Sequence, residues 1–101
     1  MSLRERAPIR IALEIFHAYR RKQVDIEKLS RGIGQACSLL ENDIPAPIRD
    51  ALKHADSEIE SIRFTVNSVD QPSEVGRLWR EFEEVLSRHG VLLEQTPDEK
   101  D

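Results

Sequence analysis

Apolar positions along the chain recur at spacings of three and four, in four separate stretches. In the first, from Ile9 to Lys22, the set Ile9, Ala12, Leu13, Phe16 and Tyr19 lines one side of a helix, and Ile11 with Ile15 widens the stripe. The basic run "YRRKQ" closes this stretch, as cations do at the negative end of a helix dipole. Asp25 is placed to cap a second helix with the stripe Ile26, Leu29, Ile33, Ala36, Cys37 and Leu40. Gly32 and Gly34 interrupt it. Each costs about 1 kcal/mol of helix propensity relative to alanine, so they either admit another helix at close range or break this one.

The segment "ENDIPAPI" reads as a linker, and Pro47 suits the first turn of a third helix, where a missing amide hydrogen costs little. That helix turns Ile48, Ala51, Leu52, Ala55, Ile59 and Ile62 inward. Its end is ambiguous, because Ile62, Phe64 and Val66 also alternate as a short strand would; helix is expected to about Phe64, then a loop through "NSVDQPS". Val75, Leu78, Trp79, Phe82, Val85 and Leu86 make the face of a fourth helix, with Pro72 near its start and Gly90 where a C-cap glycine belongs. The expected fold is all-α: a small four-helix bundle, mostly antiparallel because the connections are short. Residues 1–90 form the bundle domain; in 91–101, "VLL" is expected to fold back on it and "EQTPDEKD" to be a frayed tail.

The length of 101 residues fits one domain and leaves no room for separate catalytic and specificity domains. With 39% hydrophobic and 34% charged residues, the composition belongs to helices that bury one stripe and wet the rest, which excludes the disordered class. Cys37 is the lone cysteine, so no intramolecular disulfide staples the chain and a reducing compartment is the simplest setting. No run approaches the roughly 20 apolar residues of a membrane span, and charges interrupt "MSLRERAPIRIALEIF" where a signal peptide would need an apolar core. A cytoplasmic protein with no membrane partner is the expectation. Charge then changes the picture. Residues 1–50 hold nine Lys or Arg against seven Asp or Glu, whereas residues 51–101 hold six against twelve. The second half therefore repels nucleic-acid phosphates and suits a basic protein partner.

The candidate chemistry is concentrated in "LKHADSEIESIRF". Asp56 and Glu60 are four apart, so they stand one above the other beside the packed stripe, with Lys53 continuing the row. Like charges at that spacing cost about 0.2–0.5 kcal/mol unless something basic neutralises them, which points to a binding face. Glu58 lies on another side, and Glu81 with Glu84 in "REFEE" adds negative potential if that segment is adjacent. His54 and Glu58 could supply two metal ligands, but no second His or Cys completes a zinc set and the pattern is not HExxH. "RGIGQA" lacks the full phosphate-binding fingerprint and follows no strand. Cys37 sits at helix spacing as a small core residue with no neighbouring histidine to activate it; His89 suits a helix C-terminus, and His17 a boundary between surface and core. Paired carboxylates do acid and base work only in a desolvated pocket, which a short bundle has little room to build. The expectation is a non-enzyme with no cofactor and no metal.

Two rival readings remain. "VDIEKLSRGIGQACSLLENDI" can be set as a helix-turn-helix with its turn near Gly34, yet its recognition segment "QACSLLEND" carries no Arg or Lys to reach bases, which speaks against direct nucleic-acid contact. A regulatory adaptor or homo-oligomerising module would instead use an exposed apolar stripe such as Ile11 with Ile15.

From about Val24 to Gly90, through "VDIEKLSRGI", "IPAPIRDALKHADSEIESIRF" and "EVGRLWREFEEVLSRHG", the chain resembles the small helical immunity proteins that bacteria use against colicin-like and contact-dependent toxins, particularly those guarding against tRNA-cleaving nuclease domains. The shared features are size, four-helix layout and carboxylate rows after a proline-containing linker. The resemblance implies tight binding to a cognate toxin over its basic substrate cleft. Asp56, Glu58 and Glu60 would then be the first contact residues, with Glu81 and Glu84 next.

Overall fold

The computed structural model describes residues 3–91. A 3-10 turn at Leu3–Glu5 leads into four helices, α1 (Ala7–Arg20), α2 (Ile26–Ser38), α3 (Ala46–Thr65) and α4 (Gln71–Arg88), and no strand forms among the described residues. The ambiguous "IRFTV" is thus helical up to Thr65, where the Thr65 hydroxyl donates back to the Ser61 carbonyl; Val66 is the first extended residue. No helix among the described residues is long and apolar enough to cross a membrane.

The helix ends follow local chemistry. Pro8 occupies the first turn of α1, which therefore starts two residues before Ile9. The helix stops at Arg20, short of the expected Lys22, because Lys22 adopts a left-handed backbone with φ 61°. The Asp25 carboxylate accepts from the Lys28 amide at 2.9 Å, a cap worth about 1 kcal/mol. At the end of α4, Gly90 has φ 78°; its amide reaches the Ser87 carbonyl, and the Val91 amide reaches that of Leu86. These two hydrogen bonds, with Leu86 and Val91 both buried in the core cluster, make a Schellman cap. Val91 consequently belongs to the core, one residue past the expected end of the bundle. The expectations for 92–101 lie outside the described residues.

Neighbouring helices run antiparallel. Arg6, at the start of α1, binds Glu41 and Asp43 after the end of α2. Ser30 meets Glu60 while Cys37 meets Leu52, so α2 and α3 descend past each other, and Tyr19 near the end of α1 lies beside Val75 near the start of α4. Phe16, Trp79 and Phe82 join α1 to α4, with the Phe16 and Trp79 rings 4.8 Å apart between centroids. α2 runs unbroken through both glycines. A Cβ at Gly32 would lie 2.7 Å from Ile15 Cγ1, so the glycine admits the close approach of α1 rather than marking a break. The turn near Gly34 that a helix-turn-helix needs is not formed. Ile15 covers Gly32, and Ile11 and Ile15 are both half-buried against the core, so this stripe is not the open apolar surface that self-association would use.

Candidate functional site

α3 carries its acidic residues on two flanks, because at about 100° per residue Glu58 is turned roughly 160–200° away from Asp56 and Glu60. The flank towards α2 is closed by polar contacts. The buried Ser30 hydroxyl donates to Glu60 Oε2 at 3.1 Å, and Asp56 Oδ1 packs over the backbone of Gly34, 3.6 Å from where a Cβ would stand. Farther along, the Cys37 thiol donates to the Leu52 carbonyl at 3.5 Å. At the other end of the seam Glu27 accepts from both Arg31 and Arg63. Burial, aided by the charge of Asp56, pushes the Cys37 thiol up to about 11. A thiol held in this way stays protonated near neutrality, the less nucleophilic form.

The flank towards α4 is open. A groove of about 310 Å³ runs between α3 and α4 with the buried side chains of Ala55, Leu78 and Phe82 at its base and the exposed Asp50, His54 and Glu81 along it. It continues into a smaller polar hollow of about 90 Å³, where Glu58, Glu74 and Arg77 join His54, Leu78 and Glu81. Arg77 is bound to Glu74 at 2.5 Å, so the local cation is matched within α4 while Glu58, Glu81 and Asp50 keep the groove acidic.

The five expected contact residues are therefore not one surface. Glu58 and Glu81 meet in the α3–α4 groove; Asp56 and Glu60 lie on the α2–α3 seam, Glu60 within it as an acceptor; Glu84 stands on the exposed side of α4, paired with Arg88. "REFEE" adds its potential to Glu58 rather than to the Asp56 row. Sequence reasoning passed over Asp50 and gave His54 only a metal-ligand role. The signal was present: Asp50, His54 and Glu58 repeat at four, one row on one helix face.

No protein-family model, curated protein or solved structure matches the chain. What the groove does must come from its own chemistry. Carboxylates above an apolar base complement the chemistry of Lys and Arg side chains, a methylene stem ending in a cation. Among the described residues no group of three His, Cys, Asp or Glu side chains is arranged to hold a metal ion. His89 is engaged at the end of α4, where Nδ1 donates to the Val85 carbonyl at 2.9 Å.

Proposed function

We propose that this protein is a non-enzymatic acidic binding protein that captures a basic protein partner in the α3–α4 groove. Specifically, it acts as an immunity-type inhibitor of a cognate nuclease toxin of the colicin or contact-dependent growth inhibition kind. The observation that carries the reading is the convergence of Glu58 and Glu81, from two helices, beside the buried Leu78, with the buried Phe82 continuing the apolar base next to Glu81. A nuclease cleft built for phosphates presents cations; the groove offers them carboxylates, so inhibition is occlusion of the substrate path. Charge steers encounter, and a few desolvated contacts over Leu78 and Phe82 set the dissociation rate. Such an inhibitor acts in the cytoplasm, a setting that suits the unpaired Cys37.

The test compares the wild type, Glu58→Lys with Glu81→Lys, and Asp56→Lys with Glu60→Lys as immobilised baits for lysate of the source cells, with retained proteins identified by mass spectrometry and assayed for RNA cleavage. A basic nuclease should be retained and inhibited by the wild type and lost, by about 100-fold or more in affinity, from the groove variant. Equal capture and equal inhibition by the wild type and the groove variant would remove the groove from the mechanism. Capture lost only with the Asp56 and Glu60 variant, checked to be folded, would move the interface to the α2 side of α3.

A further inference from the structure

On the far side of α4 from the acidic groove, a cleft of about 560 Å³ opens between the end of α1, the α1–α2 turn and the first two turns of α4. That volume is in the range of about 300–1,000 Å³ typical of small-molecule sites. We propose that this cleft binds a small amphiphile with an apolar, aromatic-sized body and a single anionic headgroup. The site shares no lining residue with the α3–α4 groove, so the two readings stand or fall separately.

Three observations carry it. First, the walls combine hydrocarbon with basic groups: the buried Val75, the half-buried Tyr19 and Val24 and the exposed Pro72 supply hydrocarbon, while the exposed Arg20 and Lys22 stand beside them. Asp25, the acidic residue of the lining, caps α2 through one oxygen and keeps its charge, so two cations stand against one carboxylate around the cleft. The basic run at the end of α1, which sequence pattern explains only as a helix terminus, therefore faces a cavity. Second, Lys22 is fixed there by the cap of α1: at φ 61° it closes a Schellman motif in which its amide reaches the Tyr19 carbonyl and the Gln23 amide that of Ala18. Third, Gly76 sits inside α4 at a cost in helix propensity, yet a Cβ there would meet only the tip of Arg80, at 3.9 Å. No packed neighbour requires the glycine; what its missing side chain leaves open is the cleft it lines. Burial also raises the Tyr19 phenol above its ordinary value, so the hydroxyl stays protonated as a hydrogen-bond donor.

Titration of the full chain with 8-anilinonaphthalene-1-sulfonate, beside the uncharged N-phenyl-1-naphthylamine that shares its aryl skeleton, tests the proposal. Saturable one-to-one binding of the sulfonate is expected, with amide shifts confined to residues 19–25 and 72–76. Gly76→Leu fills the cleft with a better helix former and should weaken both dyes by about tenfold. Lys22→Gly suits the left-handed backbone and should weaken the sulfonate by about fivefold while changing the neutral dye by less than about twofold. The cleft is refuted by absence of saturable binding, by affinity that survives Gly76→Leu, or by shifts centred on the exposed Phe64 and Val69. Equal losses of the two dyes in Lys22→Gly would refute the anionic headgroup.

Discussion

Gly32 in α2 and Gly76 in α4 are the same residue in the same kind of element, with opposite surroundings. A Cβ at Gly32 would press on Ile15 from 2.7 Å, whereas one at Gly76 would find only a flexible arginine tip at 3.9 Å. The contrast extends to the helices that carry them. α2 is sealed on both sides, against α1 by the Gly32 approach and against α3 by Ser30–Glu60, Cys37–Leu52 and Glu27–Arg63. α4 is flanked by two open spaces, the acidic groove shared with α3 and the basic-edged cleft shared with α1. One half of the bundle spends its polar and small residues on holding helices together. In the other, comparable residues are turned outward around cavities, and that is the half where a ligand or partner has something to bind.

The largest effect on stability that separates the halves comes from adding one methyl group to each glycine. Gly32→Ala must displace Ile15, an overpacking cost of about 1–3 kcal/mol set against a gain of about 1 kcal/mol of helix propensity, for a net loss of up to about 2 kcal/mol. Gly76→Ala gains the propensity without a collision and should stabilise by about 0.5–1 kcal/mol. Urea denaturation reads both signs, and Ile15→Ala combined with Gly32→Ala should recover part of the loss, because residues in contact are not additive. A stabilised Gly32→Ala protein would contradict the tight α1–α2 seam. A smaller effect is expected across the other seam: Ser30→Ala removes a buried donor from an exposed carboxylate and should cost about 0.5–1 kcal/mol. That variant should leave partner capture by Glu58 and Glu81 unchanged. If it abolished capture while the protein remained folded, the sealed half would take part in binding.

The same contrast explains what could be read from the sequence. The four stripes, the Asp25 cap, the Gly90 cap and the inward set of α3 were legible, because each depends on residues within one or two turns of one another. The end of α1 was missed, since Lys22 carries none of the glycine or asparagine signal that usually announces a left-handed residue. The site was half legible. Periodicity separates Glu58 from Asp56 and Glu60 but cannot say which flank meets a neighbouring helix and which meets a groove. For that, Ser30 and Gly34 had to be seen opposite one row and Glu81 opposite the other. Gly76 shows the limit most plainly: its cost is visible in the sequence, while the cleft it lines is walled by Tyr19 and Val24, more than fifty residues away.

Acid should distinguish the halves by the smallest margin. Arg6 donates to both carboxylate oxygens of Asp43, at 2.7 and 3.0 Å, and to Glu41 at 3.0 Å, tying the start of α1 to the α2–α3 connection. The guanidinium hydrogen bonds hold the Asp43 carboxyl below the ordinary carboxylate range. A depressed folded-state pKa contributes stability that is fully present above the unfolded value of about 4 and is lost as pH falls through the folded value. Asp43→Asn should therefore lower Tm at pH 7, and its difference from wild type should shrink as the pH drops below about 4. The clamp is at the surface, so added salt should also shrink that difference at pH 7. If Asp43→Asn were equally destabilised at pH 7 and at acid pH, the amide would have failed in the geometry of the clamp rather than in its charge. A difference that instead follows pH and salt would assign the clamp an electrostatic role between α1 and the α2–α3 connection, made by residues that do not line the groove.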